Sequence, residues 1–163
     1  MILSEVIAHI RDRDYMSGVE RDTARIKSTG EVFTPSQLVV EILDRLIANK
    51  PDFFDNIDHT FLDPSCGDGQ ILGEVLIKKL ETAVAKDPTG NFDSLFERAL
   101  GSVYGVEYQK DNVIECRERL LCGRNDLRKL VRTNIVCHDA LTYDYSFNGT
   151  DLTQNEYLLT SVA

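Results

Sequence analysis

Residues 59–90, HTFLDPSCGDGQILGEVLIKKLETAVAKDPTG, constrain the fold more than any other stretch of the chain. Thr60, Phe61 and Leu62 make a short β-prone run. The proline and two glycines between Asp63 and Gly69 break regular structure and ask for a turn. Ile71, Leu72, Val75, Leu76 and Leu80 then recur at helical spacing. Pro88 lacks a backbone donor and disfavours helix at Asp87, so the helix stops there. A strand that passes through a glycine-rich turn into a helix is the opening half of a β-α-β unit.

Two further strands extend the pattern. Residues 102–107 (SVYGVE) end at Glu107, and residues 133–139 (TNIVCHD) end at Asp139. A short helix is expected around 94–99. A longer one carries Val113, Ile114, Leu120 and Leu121 and stops at Gly123. A short basic segment with Arg124, Arg128, Lys129 and Arg132 precedes the third strand. Upstream, Ile2, Leu3, Val6, Ile7 and Ile10 predict an opening amphipathic helix, followed by a charged stretch over 11–27. Thr34 suits an N-cap, Pro35 the first helical position, and Gln37 completes a capping box. Leu38, Val39, Ile42, Leu43, Leu46 and Ile47 then form one apolar stripe that ends before Pro51. The β-α-β-α-β order predicts an α/β fold with a shortened parallel sheet and helices on both faces. The chain divides into a helical extension, 1–29, and one domain, 30–163. In the tail, LTYDYSF reads as an extended piece and EYLLTSVA as a last strand.

In an open parallel sheet, ligands bind at the carboxyl ends of the strands. Three features fall there. Gly67 and Gly69 let the backbone approach a ligand without a Cβ in the way. Glu107 suits the two hydroxyls of a ribose, and Asp139 can accept from an exocyclic amine such as adenine N6. Each has a plainer reading, as a structural βα turn or a solvated acid at a strand end. Together they describe an adenosine-containing ligand without a diphosphate. Asp63 and Asp68 repel phosphate but tolerate an ammonium and a sulfonium, which separates S-adenosylmethionine from NAD or ATP.

The residues that carry this reading also carry a resemblance. DPSCGDG resembles the DPxCGxG loop of adenine-N6 DNA methyltransferases. GEVFTPSQLVVEIL is similar to the Phe-Thr-Pro segment ahead of it, VYGVEYQ to the strand with the ribose-binding acid, and IVCHDAL to the strand whose Asp meets the adenine. With the Phe-Thr-Pro segment first, the order looks like the gamma arrangement of restriction–modification methylases, and the similarity covers 30–141. It implies the Rossmann-like class I fold and S-adenosylmethionine as cofactor. By the resemblance, Phe33, Thr34 and Pro35 contact the methionine end, and Asp63, Ser65, Cys66, Gly67 and Gly69 form the loop around it. Glu107 holds the ribose, Tyr108 packs on the adenine, and Asp139 bonds its amine with Ala140 alongside.

The family's catalytic Asn/Asp-Pro-Pro-Tyr/Phe motif, which grips the flipped target base, is missing. No proline follows Pro88, so no catalytic residue is assigned. The expectation is the cofactor-binding part of an adenine methyltransferase, with a second methyltransferase or restriction–modification subunit completing the site. One alternative is an inactive binding protein that sequesters the cofactor or docks on a partner. A third reading is methylation of something smaller than DNA. The net charge of −9 argues against strong autonomous DNA binding. Four cysteines without a CxxC pair, and only three histidines, predict reduced thiols of a cytoplasmic protein and no metal site. The couple Cys137–His138 is read as packing. No apolar run is long enough to span a membrane. A sheet this short leaves an edge open, so self-association or a partner chain is expected.

Overall fold

The computed structural model describes residues 1–12, 34 and 36–149. The strands β1 (Phe61–Asp63), β2 (Val103–Glu107) and β3 (Ile135–Cys137) form one parallel sheet in the order β1-β2-β3. Phe61 pairs with Val103, Asp63 with Gly105, Gly105 with Ile135, and Glu107 with Cys137. This register brings the carboxyl ends of all three strands to one rim. Helices α1 (Leu3–Asp12) and α2 (Ser36–Asn49) precede the sheet. Helices α3 (Gln70–Lys86) and α4 (Phe92–Gly101) connect β1 to β2. Helices α5 (Lys110–Leu121) and α6 (Arg128–Asn134) connect β2 to β3, with a short 3-10 turn between them.

Local chemistry sets the helix ends. Helix α3 stops one residue before Asp87-Pro88, and the Asp87 N–H closes the last turn onto the Ala83 carbonyl at 2.9 Å. The Asn91 side chain caps α4 by accepting from the Ser94 N–H at 3.1 Å. Helix α5 ends where Cys122 and Gly123 take left-handed backbone conformations, with φ of 47° and 79°.

Side-chain alternation divides the sheet into two unlike faces. Phe61, Val103, Ile135 and Cys137 point into a core that also takes Val6 and Ile10 of α1, Val39 and Leu43 of α2, Leu72, Val75 and Leu76 of α3, Phe96 of α4, and Val113 and Leu120 of α5. The opposite face carries Leu62, Tyr104, Val106 and Val136. Among the described residues an irregular strap lies there, burying Val106 and Val136 under Tyr143 with Ala140 and Phe147 packed alongside. The expected helices on both faces are therefore corrected: among the described residues they cover one face. Strands laid down in sequential order by crossovers of one hand put every connecting helix on the same side.

Three further differences follow from packing. The basic segment before β3 is helical, because Val131 is buried and Leu130 packs on the core. This shortens the third strand, which starts at Ile135 and leaves Asp139 two residues beyond its end. The apolar stripe of α2 is split. Val39 and Leu43 are buried, Leu46 and Ile47 half-buried, but Leu38 and Ile42 stay exposed at 47% and 42%. Two buried cations, Lys79 and Arg117, bond main-chain carbonyls. Lys79 donates to Ile57 and His59, and Arg117 to Ile135 at 2.9 and 2.6 Å. No helix among the described residues is long and apolar enough to cross a membrane. The charged stretch beyond residue 12, Phe33, Pro35 and the EYLLTSVA tail lie outside the described residues.

Candidate functional site

The rim at the carboxyl ends of the strands gathers most of the residues singled out by sequence. Asp63 is the last residue of β1, and its Oδ1 accepts the Ser65 N–H at 3.0 Å, a turn across Pro64. The Cys66 N–H reaches over to the Val106 carbonyl on β2 at 3.1 Å, and the Gly69 N–H closes the loop on the Cys66 carbonyl at 2.9 Å. Between them Gly67 takes φ 54°, and its N–H donates to Glu107 Oε2 at 3.0 Å. The other Glu107 oxygen accepts the Gln109 N–H at 2.7 Å. A loop after one strand is thus hung on a carboxylate at the end of the next.

The glycines have steric reasons. Gly69, at φ 87°, is the N-cap residue of α3, and no side chain caps the helix. A Cβ there would sit 2.8 Å from Cys116 Sγ and 3.3 Å from the Cys116 Cα. With no capping side chain, the first turn of α3 leaves its amides directed at the rim. Gly105, in β2 beneath the loop, lies against Cys66, and a Cβ there would meet its Sγ at 2.7 Å.

The charges are unevenly compensated. Burial raises the Asp63 carboxyl above its ordinary value, the Ser65 N–H works against this, and the negative charge of Glu107 adds to it. Asp68 behaves otherwise than expected. It is 5% exposed and paired with Arg119 of α5, Oδ2 to Nη2 at 3.0 Å, so its charge is spent inside the protein. The negative field at the rim comes from Asp63, Glu107 and Asp139. Cys66 takes its place in the loop through its backbone. Its thiol is buried under the loop, where hydrogen bonding with Cys116 and then burial hold it protonated, so only its backbone is presented to the rim.

The remaining residues complete the rim. The His138 N–H continues the ladder to the Glu107 carbonyl at 3.0 Å. Asp139 is half-buried in a turn in which its Oδ1 accepts the Leu141 N–H at 2.9 Å. Ala140 accepts the Tyr145 hydroxyl at its carbonyl, 2.9 Å away. Two apolar side chains stand out of the rim, Tyr108 at 68% exposed and Leu141 at 95%. Thr34 is half-buried just ahead of α2, and no hydrogen bond joins it to the loop among the described residues. Among the described residues no group of three or more His, Cys, Asp or Glu could hold a metal ion.

Sequence reasoning missed Cys116, Arg119 and the part played by Gly105. A lone glycine inside a strand signals close approach of another segment, so Gly105 was readable. Arg119 falls three residues after Cys116 on the inward register of α5, a position where a charge needs a buried partner. Compared with known proteins, the chain matches no family model, no curated protein and no solved structure.

Proposed function

We propose that the rim binds S-adenosylmethionine, and that this chain is the cofactor-binding part of an adenine-N6 DNA methyltransferase whose base-reading groups come from another chain. One observation carries the reading. A glycine loop with left-handed residues joins two carboxylates, Asp63 and Glu107, at the ends of adjacent parallel strands, and no cation compensates either among the described residues. The ligand that relieves such a pair is cationic. A phosphate would add a third negative charge to it.

The residues present fit the cofactor on three counts. Asp63 supplies charge for the ammonium and sulfonium. Each Glu107 oxygen accepts one N–H and has a second lone pair for a ribose hydroxyl. The exposed ring of Tyr108, next in sequence to Glu107, offers a face to adenine. Asp139 and Ala140 are proposed to flank the adenine edge, with Phe33, Thr34 and Pro35 at the methionine end. When bound, the cofactor supplies an activated methyl group on its sulfonium. The chain's own part is to hold and orient it.

The 163 residues contain no Asn/Asp-Pro-Pro-Tyr segment. The isolated chain is therefore expected to bind the cofactor without methylating DNA. Isothermal titration tests this. Wild-type protein should give saturable heat, and Glu107→Ala should weaken binding by about 1–3 kcal/mol, the scale of hydrogen bonds to a charged group. Folded protein that gives no heat at millimolar ligand would remove the proposal, and unchanged affinity in the variant would remove Glu107.

A further inference from the structure

Arg119 joins two parts of the molecule that are far apart in sequence. Its guanidinium is buried, and among the described residues Nε donates to the Asp68 carbonyl at 2.9 Å, Nη2 to Asp68 Oδ2 at 3.0 Å, and Nη1 to the Ile10 carbonyl near the end of α1 at 2.8 Å. Asp68 stands between the two left-handed glycines of the loop. Gly73 of α3 makes the space for this arrangement, since a Cβ there would lie 2.7 Å from Ile10 Cγ2 and 3.3 Å from Arg119 Cδ. Two further ties hold α1 in place. Arg11 bonds both Glu74 oxygens at 2.9 and 3.0 Å, and His9 Nε2 lies 3.1 Å from the Glu118 carbonyl.

We infer that Arg119 is a positioning residue that makes the docking of α1 and the shape of the glycine loop a single equilibrium, so that α1 tunes ligand affinity at the rim. Buried charge enforces the link. When α1 leaves, Arg119 loses the Ile10 carbonyl and its surroundings open to water, and a guanidinium so exposed has less need of Asp68. Because Arg119 bonds the Asp68 carbonyl as well as its carboxylate, any shift is passed to the loop backbone itself. Linkage is reciprocal, so a ligand that orders the loop also holds α1 down. The loop–helix link stands on these contacts alone. Its effect on a ligand rests on the function proposed above.

Amide hydrogen exchange on the full chain tests both. Arg11→Ala, made in a Glu74→Gln background so that no buried carboxylate is left unpaired, loosens α1 and touches neither Arg119 nor the loop. Without ligand, it should speed exchange at α1 and at Cys66, Gly67 and Gly69 together, while amides of α4 stay unchanged. Acceleration confined to α1, or spread equally to α4, would overturn the link. In wild type, S-adenosylmethionine should slow exchange within α1, and Arg119→Lys, which keeps the charge but loses the forked geometry, should abolish that slowing. In the same background Arg11→Ala should lower affinity at least about fivefold, the small end of coupling between sites. Ligand binding that leaves α1 exchange untouched overturns the coupling. Absence of ligand binding in wild type refutes the proposed function alone, with the ligand-free comparison still deciding the link.

Discussion

Gly105→Ala adds one methyl group beneath the glycine loop, and the structure says what it meets. The new Cβ lies 2.7 Å from Cys66 Sγ, 2.9 Å from Leu72 Cδ1 and 3.2 Å from Cys66 Cβ. Leu72 is fully buried and Cys66 nearly so, so neither can swing into solvent. Overpacking of this kind costs about 1–3 kcal/mol. Replacing glycine inside a strand recovers roughly 0.5–1 kcal/mol of chain entropy. Because neither neighbour can move, the cost lies in the upper half of the overpacking range, about 2–3 kcal/mol, and the net loss is about 1–2.5 kcal/mol. With a urea slope of about 2 kcal/mol/M, the midpoint falls by roughly 0.5–1.2 M. Cys66→Ala alone opens a small cavity and should cost about 1 kcal/mol. Combined with Gly105→Ala it removes the closest clash, so the double variant should be more stable than the sum of the singles by about 0.5 kcal/mol or more. Urea unfolding followed by far-ultraviolet circular dichroism measures all four proteins. A neutral Gly105→Ala, or strictly additive costs, would refute the account of how the loop seats on β2.

Asp63→Asn keeps an oxygen for the Ser65 N–H and removes the charge. The folded-state carboxyl is raised, so the folded protein holds its proton longer than the unfolded chain, and stability falls as pH rises from the ordinary value of 3.8. At pH 7 the variant should have the higher urea midpoint, with the gap closing in acid, yet bind S-adenosylmethionine more weakly. Lower stability together with unchanged binding would contradict the role given to Asp63. Lys79 tests the same logic in the opposite charge. Burial lowers its ammonium from 10.5 to about 8, so the unfolded chain is the better proton acceptor and the stability contributed by Lys79 rises between those values. The midpoint of wild type relative to Lys79→Met should increase across that window, and a difference independent of pH would count against it.

The strand–turn–helix at 61–86 was legible because each boundary has its own chemistry: glycines for left-handed turns, Pro88 for a stop, and an apolar stripe for one buried face. The rim could be anticipated because parallel strands expose their carboxyl ends together. Asp68 could not be placed, since its spacing beside Asp63 is that of a surface pair. Only the approach of α5, 51 positions away, turns it inward onto Arg119. The helix at 128–134 hid for a related reason. Lys129 is exposed and Arg128 and Arg132 are half-buried, while Leu130 and Val131 find the core only once β3 is in place. Coverage of the second face depends on crossover handedness, which leaves no mark on composition. The split stripe of α2 likewise reflects which neighbours are present, and periodicity says nothing of neighbours.

The strap over the second face gives the molecule a built-in optical signal. The chain has no tryptophan and six tyrosines. Three of these, Tyr104, Tyr143 and Tyr145, share one aromatic cluster with Phe147, in which the Tyr143 and Tyr145 rings lie 5.3 Å apart and Tyr104 packs 4.8 Å from Phe147. Fixed rings in asymmetric contact produce near-ultraviolet dichroism, whereas the exposed ring of Tyr108 contributes little until something stacks on it. Among the described tyrosines, the near-ultraviolet signal therefore reads the back of the sheet and gains a component from the rim only when the Tyr108 ring is immobilised. Loosening of the strap and filling of the site thus change that signal in opposite directions.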